Sequence, residues 1–309
     1  MNTIFFDSTV SDDIRRQQLY HGQLFVFSPS ASSAALSSFA GEMIQEAFGS
    51  LDPLKAQYSM PVEKYAEILA VLKPKFIHHP TSKQFIQGIL KEFGCDLTKT
   101  YFDVPRLRSA TSDEYLTTGI AYAFHPHRDT WYSAPFCQLN WWLPVYDIQS
   151  ENSMAFHPRY WTHPLRNGSN RYNYYRWNAE SRKNAAKHIK VDTRDQPRPE
   201  EPVELDPQTR IVCPVGGIIL FSGSQLHSTV PNTAGRARFS IDFRTVHLDD
   251  VVAKMGAPNI DSACTGTTLR DFISAADLSR IPEDLVLPYD QEPPGDGVLV
   301  YGPREGKGD

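Results

Sequence analysis

Apolar residues recur at helical spacing through the first third of the chain. After the capping run Pro29-Ser30-Ala31-Ser32, the positions Leu36, Phe39, Met43, Ile44 and Phe48 form one stripe that ends at Gly49. Tyr65, Ile68, Leu69 and Leu72 predict a second helix near 62–72, and a third runs near 83–93 and stops at Gly94. From about Tyr101 the period changes. Segments near 101–108, 117–124, 136–146, 152–156, 210–213, 217–221, 225–230 and 238–246 are short, β-branched and aromatic, and parted by Pro, Gly or Asn. Strands so spaced predict a jelly roll or a related antiparallel barrel. GxGxxG, P-loop and regular βαβ patterns are missing, which argues against a doubly wound nucleotide fold.

The pattern divides one domain of 309 residues into a helical part (1–100), a β core (101–246) and a C-terminal helix with an extended tail (247–309). A long insertion, 159–198, interrupts the core. It carries ten Lys/Arg against three acids, a local net of +7, in a chain whose total is -5. It also holds Tyr160, Trp161, Tyr172, Tyr174, Tyr175 and Trp177, and the acidic, proline-rich stretch Pro199-Glu200-Glu201-Pro202 follows. Such a segment suits a lid over a pocket, and its Arg171 and Arg176, joined by Arg106 and Arg108 of an early strand, suit an anionic substrate.

Overall composition is ordinary: 40% hydrophobic, 22% charged and 12% aromatic, which excludes collagen-like, coiled-coil and wholly disordered classes. The acidic balance argues against nucleic acid as a partner. Ile4-Phe5-Phe6 is cut short by Asp7, and Ile218-Ile219-Leu220-Phe221 is far too short to span a bilayer, so neither a targeting segment nor a membrane partner is expected. Cys95, Cys137, Cys213 and Cys264 lie far apart and read as reduced thiols of a cytoplasmic protein. The oligomeric state stays open.

The most informative segment is Phe124-His125-Pro126-His127-Arg128-Asp129-Thr130-Trp131. Residues two apart on a strand share a face, so His127 and Asp129 can bind one metal. Two imidazoles and one carboxylate on one face of an octahedral ion leave three open positions, as in non-haem Fe(II) oxygenases. A second His-x-Asp, His247-Leu248-Asp249, has no histidine after it to complete a set; the first has His227. His125 shares the face of His127, which also brings a zinc site to mind, but no general base stands at a recognisable spacing. Beyond His227 the turn Pro231-Asn232-Thr233-Ala234-Gly235 leads to an alternating strand. Arg238, Ser240, Asp242 and Arg244 occupy one face, and Phe239, Ile241 and Phe243 the other. An antiparallel return sets Arg238 beside the His227 strand, where a guanidinium can grip a carboxylate.

His127-x-Asp129, then His227, Thr229 two residues on and Arg238 eleven residues on, resembles the Fe(II)/2-oxoglutarate-dependent dioxygenase superfamily, most closely its phytanoyl-CoA dioxygenase-like branch. Gln138-Leu139-Asn140-Trp141-Trp142-Leu143-Pro144 is similar to the strand that follows the first motif there. Glu151-Asn152-Ser153 stands near that family's Glu-Asn-Gly, and Phe156-His157-Pro158-Arg159 departs from its next turn. The resemblance spans roughly 101–246. It implies a double-stranded β-helix (jelly roll, cupin-like) core, mainly β, with N-terminal helices packed outside. It implies Fe(II) on His127, Asp129 and His227, with the far carboxylate of 2-oxoglutarate on Arg238 and Thr229. O2 is then consumed, succinate and CO2 are released, and a small-molecule substrate is oxidised, hydroxylation being the default. Asp129 disfavours halide transfer, which needs a small residue there. Gln138 and Asn140 are expected inward beside the cosubstrate, Trp131 lining the pocket and Trp142 near the substrate. Two other readings keep the ligand set: a cupin-like dioxygenase without 2-oxoglutarate, and a non-catalytic binding barrel.

Overall fold

The structure is a computed structural model that describes residues 3–118, 125–181, 194 and 196–290. Two sheets face each other. The larger holds β1 (Ile4–Phe6), β2 (Leu24–Phe27), β3 (Thr100–Phe102), β4 (Arg106–Ala110), β5 (Leu139–Pro144), β8 (Ile218–Ser222), β10 (Arg238–His247) and β11 (Ile273–Ser274). The smaller holds β6 (Met154–Phe156), β7 (Thr209–Ile211) and β9 (His227–Thr229). Strand order is β1-β2-β8-β5-β10-β3-β11, with β4 also paired to β10, against β7-β6-β9. His127 bridges His227 beside β9. Taking His127 as the second strand position, the eight core segments pair first with eighth and third with sixth in one sheet, second with seventh and fourth with fifth in the other. That is the pairing of a jelly roll, so the core is a double-stranded β-helix.

Alternation decides what each face of the large sheet meets. On β10, Phe239, Ile241 and Phe243 join Leu139, Trp141 and Leu143 of β5 and Ile218 and Leu220 of β8 in a core shared with the helices. Each such side chain contributes about 1.5–3 kcal/mol on burial. The opposite face of the sheet turns inward: Ile219, Phe221 and Trp142 pack with Met154, Phe156 and Ile211 between the sheets. Arg238, Ser240, Asp242 and Arg244 point to the same side, where a cavity remains. The polar alternation on β10 is therefore a barrel interior, not a solvent face.

The helices lie outside, as expected. Helix α2 (Ala31–Phe48) starts at a capping box between Ser30 and Ser33 and ends at Gly49, whose φ of 64° suits glycine. Helices α3 (Val62–His78) and α4 (Pro80–Glu92) run longer or start earlier than their apolar stripes suggest. Several expectations need correction. Residues 1–100 are not only helical, because Ile4-Phe5-Phe6 and Leu24–Phe27 extend the large sheet, with helix α1 (Asp12–Tyr20) between them. The first predicted strand splits into β3 and β4 around Pro105, which lacks the N–H a ladder needs. In the second, 117–118 are not strand and 119–124 lie outside the described residues. The C-terminal part is not only a helix and tail, since β11 pairs with β3 after the short helix Leu248–Ala253; 291–309 lie outside the described residues. All four cysteines are free thiols, and among the described residues no helix is long and apolar enough to cross a membrane.

Candidate metal centre

His127 and His227 exchange both backbone hydrogen bonds, at 3.0 Å each, and their rings stand 4.4 Å apart. Asp129 follows on the same side, its N–H on the Gly223 carbonyl at 2.9 Å. The Asp129 Oδ1 lies 3.5 Å from His127 Nε2 and 4.0 Å from His227 Nε2, and all three donors sit within 4.8 Å of one another and are buried. Each ring's Nδ1 meets the carbonyl two residues earlier, His125 for His127 and Gln225 for His227, both at 2.9 Å. Those bonds place the proton on Nδ1 and leave the Nε2 lone pairs facing the carboxylate. Burial, then His127, push His227 down to about 3, so its ring is neutral and ready to ligate. These two imidazoles and one carboxylate could together hold one metal ion beside the cavity.

The large sheet holds the carboxylate from behind. Gln138 Nε2 at 3.0 Å and Asn140 Nδ2 at 2.8 Å both donate to Asp129 Oδ2, and Arg244 Nε lies 3.4 Å from the same oxygen. Burial pushes the Asp129 carboxyl up, but the Arg244 guanidinium outweighs it and holds it well below the usual range. Gln138 and Asn140 thus face inward as expected, but they orient the metal carboxylate. Arg244 escaped notice as a site residue, although the β10 alternation put it on the inner face.

The cavity beside the triad measures about 550 Å³ and is lined by Arg238, Thr229 and Trp142, among others. Arg238 does not lie beside the His227 strand in one sheet. β9 pairs with β6 while β10 belongs to the large sheet, so the guanidinium reaches across the gap. Its Nη1 donates to the carbonyls of Asn152 (3.2 Å) and Ser153 (3.4 Å), its Cζ lies 5.5 Å from the centre of the Trp142 ring, and its buried Nε has no partner. Ser153 O also takes Val230 N–H, next to Thr229, at 3.1 Å. Burial lowers Arg238 to about 10, which leaves it charged at neutral pH.

Trp131 does not line the cavity. It is fully buried with Tyr160, Leu165 and Leu226, and its Nε1 donates to Asp261 at 2.6 Å; its neighbour Tyr132 lines the cavity instead. Arg128, between His127 and Asp129, binds the same Asp261 through Nε at 3.1 Å and Ser224 O through Nη1 at 2.7 Å. His125 is not a ligand, since its Nε2 meets Pro197 O at 2.9 Å; burial and then His127 lower it to about 4. The rival pair is separate: Asp249 binds Lys99 on the surface, and His247 is buried apart from the triad.

The insertion contributes Tyr172, Tyr174, Trp177 and Gln196 to the cavity wall; 182–193 and 195 lie outside the described residues. Its arginines mostly face elsewhere. Arg159 pairs with Glu204, Arg166 with Glu201 and Arg171 with Glu200, so the acidic stretch takes three of them, while Arg194 lines the cavity. Arg176 donates to Arg171 O. Neither Arg171 nor Arg176 lines the cavity, whereas Arg106 and Arg108 do.

No family model and no curated protein matches the chain. Among solved structures it is similar to EvdO2 from Micromonospora carbonacea var. aurantiaca, at 13% identity and a TM-score of 0.43, over 78% of this chain and 92% of that one. It is also similar to the α-ketoglutarate-dependent carbocyclase SnoK of nogalamycin biosynthesis (13%, TM-score 0.36, 77% and 85%) and to the non-haem monooxygenase ThoJ (12%, TM-score 0.36, 70% of each). A structure of the epimerase SnoN carries Fe3+ and α-ketoglutarate.

Proposed function

We propose that the protein is an Fe(II)- and 2-oxoglutarate-dependent oxygenase of the superfamily its motifs resemble, in the phytanoyl-CoA dioxygenase-like branch, and that it hydroxylates a small molecule. One observation carries this reading beyond a bare metal site. Arg238 is a buried cation whose Nε is unpartnered, and it lines the same cavity as the triad. Leaving such a donor buried and unpaired costs about 1–3 kcal/mol, so the site is matched to a carboxylate. The donor set fits ferrous iron: His127 and His227 through Nε2, Asp129 through Oδ1. When bound, iron and the 2-oxo acid supply O2 activation, with succinate and CO2 as products. The chain's own part is to orient and exclude. Gln138, Asn140 and Arg244 fix Asp129 to one ligating oxygen; Arg238 and Thr229 receive the distal carboxylate; Tyr132, Tyr172 and Trp177 wall the cavity from water.

A cupin-like dioxygenase without 2-oxoglutarate leaves Arg238 unexplained, and a binding barrel leaves the triad unexplained. Asp129 occupies the position a halide would need. Free thiols suit a cytoplasmic setting. Anaerobic titration with Fe(II) and 2-oxoglutarate tests the proposal: a weak visible charge-transfer band that needs both components is expected, and its absence while iron binds would overturn the 2-oxoglutarate reading.

A further inference from the structure

Residues 261–268 form no helix and no strand beyond one bridge at Thr265, so their polar groups need partners elsewhere. They find them on two sides, as a strap between two parts of the site. One side is the turn that carries Asp129. Asp261 takes Arg128 Nε at 3.1 Å and Trp131 Nε1 at 2.6 Å. Ser262 Oγ donates to Thr130 O at 2.6 Å, Ser133 Oγ to Thr265 O at 2.7 Å, and Thr268 N–H to Ser133 O at 3.1 Å. The other side is the insertion. Leu165 N–H donates to Asp261 Oδ2 at 2.9 Å, and Asn167 Nδ2 to the Asp261 carbonyl at 2.8 Å. Ala263 N–H meets Ser169 Oγ at 3.0 Å, Thr265 N–H meets Tyr172 O at 3.0 Å, and Tyr174 N–H meets Thr265 O at 3.2 Å. Tyr172 and Tyr174 in turn line the cavity beside the triad.

Arg128 completes the link. It stands between His127 and Asp129 and is fully buried. Besides Asp261, its guanidinium donates to Ser224 O at 2.7 Å, three residues before His227, and to Tyr160 O at 2.5 Å, at the start of the insertion. One cation thus touches the strap, the approach to the second histidine and the insertion. A buried guanidinium that loses its carboxylate is strongly disfavoured. Local opening of the strap therefore disturbs Arg128, and with it the spacing of the two ligands on either side. We propose that Arg128 and Asp261 are positioning residues that couple the metal ligands, through the strap 261–268, to the cavity wall built by the insertion. By linkage the coupling runs both ways: a filled triad firms the wall, and a firm wall tightens the metal. The substrate then meets its wall fully formed only around a loaded metal. This inference needs a metal at the triad and not the 2-oxoglutarate chemistry, so it goes beyond the reading above.

Hydrogen exchange of the full chain, read by mass spectrometry with and without saturating Co(II) under anaerobic conditions, provides the test. In the parent, Co(II) should slow exchange about fivefold or more in peptides covering 165–174 and 261–268. Asp261→Asn keeps the side chain's shape and removes the charge that Arg128 faces. At saturating Co(II) it should reduce that slowing to less than about twofold, and its Co(II) affinity should fall about fivefold or more. Should Asp261→Asn not fold, Ser133→Ala combined with Ser262→Ala cuts two other bonds between strap and turn, leaves Asp261 in place, and should also diminish the slowing. A pair that only holds the fold together would lower the melting temperature and leave the metal-dependent slowing intact, which would overturn the coupling. So would a parent whose 165–174 peptides exchange equally fast with and without bound Co(II). Failure of the parent to bind Co(II) at all would instead overturn the metal site, and the coupling with it.

Discussion

Asn140 joins the two halves of the site, and replacing it with leucine isolates what the large sheet does for the metal. The substitution keeps the side chain's size and removes two polar contacts: the 2.8 Å bond from Nδ2 to Asp129 Oδ2 and the 2.9 Å bond that Oδ1 accepts from Gln138. A hydrogen bond to a charged group is worth about 1.5–3 kcal/mol, equivalent to roughly 10–100-fold. Loss of such a partner to a metal ligand is known to cost about 10–100-fold in metal affinity, so the two routes to the magnitude agree. Gln138 and Arg244 still hold the same oxygen in the variant. The lower end, about tenfold, is therefore expected. Competitive anaerobic titration with Co(II) measures it, beside a thermal melt of the metal-free protein. At saturating metal, 2-oxoglutarate affinity should be unchanged, because Arg238 is untouched. Metal affinity within about twofold of the parent would refute the assigned role of Asn140. So would parallel losses in metal affinity, cosubstrate affinity and melting temperature, which would mark a collapsed barrel.

Arg238→Met should have the opposite signature: metal affinity preserved, and 2-oxoglutarate KM raised about 10–100-fold in a succinate-release assay. Replacing both Arg171 and Arg176 with glutamine should leave substrate and cosubstrate KM unchanged, since Arg171 is held by Glu200 and neither side chain lines the cavity. A raised KM would show that the insertion's arginines reach the substrate after all. Trp131→Phe should lower stability by about 1–2 kcal/mol through the lost bond to Asp261, measured by urea unfolding, with 2-oxoglutarate KM unaltered. The metal-free protein should also lose stability as pH falls. His125 is depressed to about 4 in the fold. Below its ordinary value of about 6.5 the unfolded chain binds a proton that the folded chain refuses, so up to about 3 kcal/mol drains away between the two values. A urea midpoint that does not shift between pH 7 and 4.5 would contradict this.

The β core and the triad were legible because each rests on a short, strong period. The strict alternation at 238–244 names the inner and outer faces of β10, and the spacing of His127 and Asp129 names one edge of a metal site. Other features depend on partners far along the chain. Trp131 looked like pocket lining because it stands two residues from Asp129. In the fold, residues 129–132 form a 3-10 turn, and Asp261, 130 positions away, draws the indole out of the cavity. Ile4-Phe5-Phe6 is too short to announce a strand, and it forms only because Leu24–Phe27 offers a parallel edge. For Arg171 and Arg176 the basic insertion differs from expectation, since neither lines the cavity. Its net charge is conspicuous in sequence, yet Glu200, Glu201 and Glu204 sit immediately after it and take Arg171, Arg166 and Arg159. Of the insertion's cations among the described residues, Arg194 lines the cavity, and the others that line it, Lys73, Arg106, Arg108, Arg238 and Arg244, stand singly on α3, β4 and β10, where no local count draws attention to them.

The division of labour between the sheets has a further consequence. The ligating atoms belong to the smaller-sheet side, through His227 and the bridged His127, with Asp129 two residues on. The groups that aim and charge the site, Gln138, Asn140, Arg238 and Arg244, all belong to β10 or to β5 and the residue just before it. Neither sheet alone has a metal site: one offers donors without an oriented carboxylate, the other offers orienting groups without donors. Metal binding is thus coupled to the stacking of the sheets, and a metal that binds only the stacked state stabilises it by RT ln(1 + [M]/Kd), about 2.7 kcal/mol at a hundredfold excess over Kd. The same stacking seals Met154, Phe156, Ile219 and Phe221 from water next to the donors. Burial that depresses the pKa of His227 and burial that holds the two sheets together are one event.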